Sequence, residues 1–181
     1  MGEVEILKQN GQLIIHCNII IYGDAANETL AIQIAKDIED YWNAPVGKVV
    51  IAEGWFTKKT YQVIFNVAGK YENKLTPEIV FANTNPRNNY FRIEEFANGN
   101  ISFVDGLNSN TGYFKLENLL DNSSTAAHEF GHTIGLDHPL NLDIRGQGSG
   151  CVIAIAQDPS HSVGTNQIID RYYARGRNPH D

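Results

Sequence analysis

Two patterns of apolar positions dominate the first 45 residues. Residues 12–22 form an almost continuous apolar run rich in isoleucine, which predicts a long buried strand. Beyond it, apolar side chains recur every four residues, which predicts an amphipathic helix. This predicted face comprises Leu30, Ile34, Ile38 and Trp42, with Ala31 and Ala35 beside them. Asp24 is the expected N-cap of the helix, and Pro45 and Gly47 are expected to end it.

Shorter apolar segments follow, separated by turns rich in Asn, Gly and Pro. They predict strands at 48–52, 60–68, 78–83, 90–96 and 100–104. An extended piece at 112–116 leads into a second helix, whose N-cap is expected within residues 121–124. After position 138 the pattern predicts a glycine-rich loop to about 150, an apolar run at 152–156 and a short helix near 165–174. This order predicts a single α/β (α+β) domain over 1–181.

Composition limits the classes of partner. The length of 181 residues suits one domain, and the net charge of −7 argues against nucleic acid or an anionic membrane as partner. No apolar run approaches the roughly 18 residues of a membrane-spanning helix. The acidic first residues lack the apolar core of an export signal, so we expect any such signal to have been removed or never to have existed. A monomeric protein, secreted in its mature form, is the expectation.

The two cysteines are Cys17 and Cys151. Cys17 lies within the first apolar run and is expected to be a small buried side chain. Cys151 follows a glycine-rich loop, where a free thiol is one alternative. A disulfide between the two is the other, if the protein is extracellular.

The most specific signal is the segment from Thr125 to His138, which contains H-E-x-x-H-x-x-G-x-x-H. Residues four apart on a helix project from the same face, so His128 and His132 can direct two imidazole nitrogens at one metal ion. Gly135 suits a left-handed helix end, after which the chain can return with a third ligand, His138. Three protein ligands and one open position are typical of catalytic zinc.

Glu129 directly follows the first histidine of the motif. At that position it can lie beside the metal without binding it and can act as a general base. The alternative for the short H-E-x-x-H alone is a surface helix that carries two histidines and a solvated glutamate. The additional glycine and third histidine at fixed spacings favour the metal site.

The run from Ala126 to His138 resembles the metzincin metalloproteases, and most closely their matrixin branch (the matrix metalloproteases and their bacterial relatives). The resemblance implies a zinc endopeptidase in which Glu129 assists a zinc-activated water. It also implies a twisted, mostly parallel sheet with an antiparallel edge strand and two main helices. A small C-terminal subdomain with a third helix, about residues 139–181, would follow an N-terminal subdomain of about 1–138.

The chain departs from the metzincin pattern at the methionine turn below the metal. Its only methionine is Met1, and we place Ala154 at the equivalent position. Because that methionine packs beneath the metal without binding it, its absence is expected to affect the rigidity of the site and its affinity for zinc rather than the reaction.

Further site residues follow from the resemblance or from residue type. Metzincins bind an extended peptide along an edge strand, which here falls at 100–104 and includes Ile101, Ser102 and Phe103; an interior strand is the alternative. By the resemblance, Tyr172 or Tyr173 is a candidate extra zinc ligand or oxyanion donor, whereas packing is the more frequent role of tyrosine. Asp105, Asn108 and Asn110 offer oxygen atoms to calcium, and such clusters also form ordinary turns.

The sequence therefore predicts a zinc endopeptidase with a peptide or protein as substrate. Two alternatives stay open. One is a degenerate domain that binds zinc or a partner without catalysis, and the other is a protease effector or toxin module of a larger secreted protein.

Overall fold

The computed structural model describes residues 2–95, 102–120 and 123–138. In chain order the elements are β1 (Glu3–Leu7), β2 (Gln12–Tyr22), α1 (Glu28–Asn43), β3 (Lys48–Ala52), β4 (Lys58–Tyr71), α2 (Pro77–Phe81), β5 (Asn88–Glu94), β6 (Phe103–Val104), β7 (Thr111–Lys115), a 3-10 helix (Leu116–Leu119) and α3 (Thr125–Thr133). The predicted loop after His138, the apolar run at 152–156, the helix near 165–174 and the C-terminal subdomain lie outside these residues.

The strands form one mixed sheet with the order β3-β4-β2-β5-β7-β6, and β1 pairs with the first half of β2. The central pairings are parallel: β2 with β4, β2 with β5, and β5 with β7. The outer pairings are antiparallel: β1 with β2, β3 with β4, and β6 with β7. This arrangement confirms the predicted mixed α/β class with a mostly parallel sheet.

Helices α1 and α3 share one apolar core with the sheet. The predicted face of α1 is confirmed, since Ile34 and Ile38 are almost fully buried. Each buried isoleucine stabilises the fold by about 1.5–3 kcal/mol relative to an exposed one. The helix is therefore held in place mainly by packing.

One aromatic cluster joins the two helices to the sheet. The ring of Trp42 in α1 lies 5.4 Å from Phe65 in β4 and 6.3 Å from Phe130 in α3, between ring centroids. Trp42 also donates a hydrogen bond from Nε1 to the carbonyl of Ala127 at 3.0 Å. The histidine-bearing helix is thus fixed against α1 by both packing and a polar contact.

Two predictions of local structure were wrong, and one strand was missed. The segment at 78–83 is not a strand, because Pro77 begins the short helix α2 and fixes the backbone angle that a first helical turn requires. The N-cap of α1 is Asn27 rather than Asp24, and Asn27 Oδ1 accepts a hydrogen bond from the Leu30 amide at 2.9 Å. Strand β1 was not predicted, since four of its five residues are exposed and two of them are acidic.

Other predicted boundaries were close. Strands β2 and β3 have the predicted limits, whereas β4 is longer and β5 and β7 are shifted by one or two residues. The N-cap of α3 is Ser124, within the predicted interval. No helix in the described part of the chain is long and apolar enough to cross a membrane.

Candidate metal centre

Helix α3 presents His128 and His132 one turn apart and half-buried, as the motif predicts. The opposite side of the helix is anchored by Phe130, which is fully buried. Gly131 allows the close approach of α1, because a Cβ built at this position would lie only 3.2 Å from Cζ2 of Trp42. The glycine between the two histidines therefore serves helix packing.

The end of α3 has the geometry that returns the chain toward the helix. Gly135 adopts a φ of +91°, in the left-handed region that favours glycine. Its amide donates to the carbonyl of His132 at 3.1 Å, and the Leu136 amide donates to the carbonyl of Gly131 at 2.9 Å. These two bonds constitute a Schellman motif. The predicted helix stop at Gly135 is confirmed, and it brings His138 back beside the helix.

The three histidines converge through their Nε2 atoms. His128 Nε2 lies 3.3 Å from His132 Nε2 and 3.2 Å from His138 Nε2. Zn–N bonds of about 2.0–2.1 Å in tetrahedral geometry would place two ligand nitrogens about 3.3–3.4 Å apart. In the described part of the chain these residues form a group whose ligand atoms all lie within 4.8 Å of one another. The donor set and its spacing fit a zinc ion.

A backbone contact determines the tautomer of one histidine ring. His132 Nδ1 lies 2.7 Å from the carbonyl oxygen of Leu136. Because a carbonyl can only accept, Nδ1 carries the proton, and in the neutral ring the lone pair is on Nε2, which faces the other histidines. A backbone carbonyl in this position is a common way to orient a metal-binding histidine.

Glu129 is buried within α3, with only 1% of its surface exposed. This burial excludes the alternative of a solvated surface glutamate. Burying a carboxylate carries a large desolvation cost unless it gains interactions, and such groups concentrate at functional sites. Position and burial are therefore those expected of a residue that handles protons.

The predicted substrate strand is an edge strand of the described sheet. Strand β6 pairs with β7 on one side only and packs against α3. Phe103 is 43% exposed, and its ring lies 5.5 Å from that of Tyr113. Ser102 is buried instead, and its Oγ accepts a hydrogen bond from the Lys115 amide at 3.1 Å. Ile101 lies outside the described residues, as do Ala154, Tyr172 and Tyr173.

The residues suggested for calcium have roles in the turn between β6 and β7. Asp105 accepts a hydrogen bond from the hydroxyl of Thr111, and the carbonyl of Asn110 accepts one from the Tyr90 amide at 2.7 Å. The backbone N–H of Asn108 donates to the carbonyl of His132 at 2.9 Å. Calcium binding by these residues stays a prediction. The contact from Asn108 to the histidine helix was not predicted, and its only local signal is that asparagine tolerates a positive φ.

Cys17 is buried as expected, and its burial raises the pKa of the thiol to about 11. A thiol with a pKa this high is almost entirely protonated at neutral pH and is therefore a poor nucleophile. Cys151, the other half of the suggested disulfide, lies outside the described residues.

Comparisons with protein-family models, with curated proteins and with solved structures each found no match. Function is therefore inferred from the geometry of the site and from the motif that forms it.

Replacing Gly135 tests the helix stop. We expect Gly135→Ala to lower the free energy of unfolding by about 1–2 kcal/mol, the cost of a left-handed conformation for a residue with a Cβ. The new Cβ would also lie 2.5 Å from Oδ1 of Asn108. Urea denaturation measures the change. Gly106→Ala is the matched control, because a Cβ there meets no atom within 4 Å, and a similar loss in both variants would contradict the assignment.

Proposed function

We propose that this protein is a zinc-dependent endopeptidase of the metzincin type, most similar to the matrixin branch. The observation that carries the proposal is the convergence of three histidine Nε2 atoms at the end of α3, at separations of 3.2 and 3.3 Å from His128. A structural zinc site would use a fourth protein ligand, whereas the group in the described part of the chain has three histidines, which leaves one position for water or substrate.

The fold supports the proposal in two respects. Its parallel central strands and antiparallel edge strand agree with the sheet that the resemblance implies, and α1 and α3 pack on one core as its two main helices. The edge strand β6 lies against the histidine helix and offers backbone groups on its outer side. An extended peptide can pair with such an edge by strand addition.

In the proposed reaction each residue has a distinct task. His128, His132 and His138 would hold the ion, and the Leu136 carbonyl keeps the His132 ring oriented. Zinc held there would act as a Lewis acid and would make water nucleophilic at neutral pH. Glu129 accepts the proton that the attacking water loses and delivers it to the nitrogen of the leaving amine. Strand β6 holds the substrate extended, so that its scissile carbonyl is presented to the site.

A peptide-library digest tests this function. We expect the zinc-loaded protein to cleave internal peptide bonds, and we expect activity to disappear with a chelator and return with added zinc. Mass spectrometry of the products identifies the cleaved bonds. A protein that binds zinc but cleaves neither the library nor unfolded protein substrates would favour the degenerate binding domain instead.

A further inference from the structure

The loop between β6 and β7 reaches the end of the histidine helix at Asn108. The backbone N–H of Asn108 donates a hydrogen bond to the carbonyl of His132 at 2.9 Å, and this carbonyl also accepts one from the backbone N–H of Gly135. The carbonyl of the second histidine therefore accepts hydrogen bonds both from the helix end and from the β6–β7 loop.

Asn108 can make this contact because of its backbone conformation. Its φ is +64°, in the left-handed region that asparagine and glycine adopt more readily than other residues. The loop around it is fixed at both ends: the Ser109 amide donates to the Gly106 carbonyl at 2.9 Å, and the Asp105 amide donates to the Thr111 carbonyl at 3.0 Å. The Asn108 amide is thus presented to α3 from a closed turn.

The side chain of Asn108 touches the helix stop as well. A Cβ at Gly135 would lie 2.5 Å from Asn108 Oδ1 and 3.3 Å from its Cγ, so the asparagine side chain occupies the space beside this glycine. From Gly135 the chain continues through Leu136, whose carbonyl accepts His132 Nδ1, to His138. Asn108 therefore borders the turn that places the third histidine relative to the first two.

We propose that Asn108 is a positioning residue for the three-histidine centre, acting through the His132 carbonyl and Gly135. This inference rests on the proposed zinc site. The β6–β7 loop thus helps to hold His138 near the Nε2 atoms of the α3 histidines, in addition to joining two strands.

The test compares variants that differ in their tolerance of a positive φ. Asn108→Gly keeps the positive φ and the backbone N–H donor. Asn108→Val disfavours the positive φ because its side chain is branched at Cβ. Asn108→Ala is a milder change with the same direction of effect. Gly106→Ala in the same loop is the control, since a Cβ there contacts nothing within 4 Å.

We measure the zinc dissociation constant by chelator competition and the visible spectrum of the cobalt-substituted protein. We expect about a 10-fold or larger rise in the dissociation constant for Asn108→Val, a smaller rise for Asn108→Ala and the smallest for Asn108→Gly, in line with the loss of a group that orients metal ligands. The cobalt spectrum should change in the same order, which a general loss of stability would not produce in the folded fraction.

The outcomes separate this inference from the proposed function. If the unaltered protein binds zinc while Asn108→Ala and Asn108→Val keep its affinity and cobalt spectrum, Asn108 has no positioning role and the zinc site stands. If Asn108→Val does not fold, the zinc affinity and cobalt spectrum of Asn108→Ala decide the same question. If the unaltered protein does not bind zinc, the proposed function fails together with this inference.

Discussion

Glu129→Gln is expected to lower the rate of peptide cleavage by about 100- to 10,000-fold while leaving zinc bound. The amide is nearly the same size as the carboxylate but cannot accept the proton that the attacking water loses, and positioned acid–base catalysis contributes on this scale. Since the amide also fills nearly the same volume at this buried position in α3, the fold should persist.

The matched control for this variant is Glu117→Gln. Glu117 lies on the 3-10 helix that precedes α3, with 66% of its side chain accessible. Its replacement should leave the cleavage rate unchanged. Cleavage by Glu129→Gln at the rate of the unaltered protein would show that another group handles the proton.

His132→Ala is expected to weaken zinc binding by more than about 100-fold and to abolish cleavage. Changes in groups that merely orient a ligand cost 10- to 100-fold in metal affinity, and removal of a ligand should cost more. Chelator competition measures the affinity, and circular dichroism checks that α3 remains folded.

His16→Ala provides the control for a change of the same residue type away from the centre. His16 lies in β2, where its Nε2 is 2.9 Å from Glu5 Oε2, and it belongs to no cluster of three ligands in the described part of the chain. We expect this variant to bind zinc with unchanged affinity. Equal loss in both variants would point to nonspecific binding by surface histidines.

The parts of the structure that the sequence predicts well are those set by neighbouring residues. The long strand β2 follows from a run of apolar residues bounded by polar ones, and the buried face of α1 follows from a four-residue repeat. The centre is of the same kind, because His128, His132 and His138 are joined by one helical turn and one glycine stop. The eleven residues from His128 to His138 are enough to predict which three side chains converge.

The failures concern features that depend on context. The short run Ile79-Val80-Phe81 has no periodicity that separates helix from strand, and Pro77 decides for the helix. Strand β1 is stabilised by its pairing with β2, although Val4 and Ile6 remain exposed. A strand of this kind resembles an acidic surface segment until its partner is known.

The contacts that residues outside the motif make with α3 were the least predictable. Asn108 is separated from His132 by two dozen residues, and Trp42 is much farther from Ala127 along the chain. Both contacts arise because the sheet brings the β6–β7 loop and α1 against opposite parts of α3. The spacing of a motif predicts which residues can bind a metal, but the surrounding fold determines what orients them.

The zinc content of the purified protein tests the central claim most directly. The protein is saturated with zinc, desalted and weighed intact by native mass spectrometry. We expect one tightly held zinc ion per chain, displaced on denaturation and absent from His132→Ala. A protein that retains no zinc after desalting, or retains it equally in His132→Ala, would contradict a metal centre formed by His128, His132 and His138.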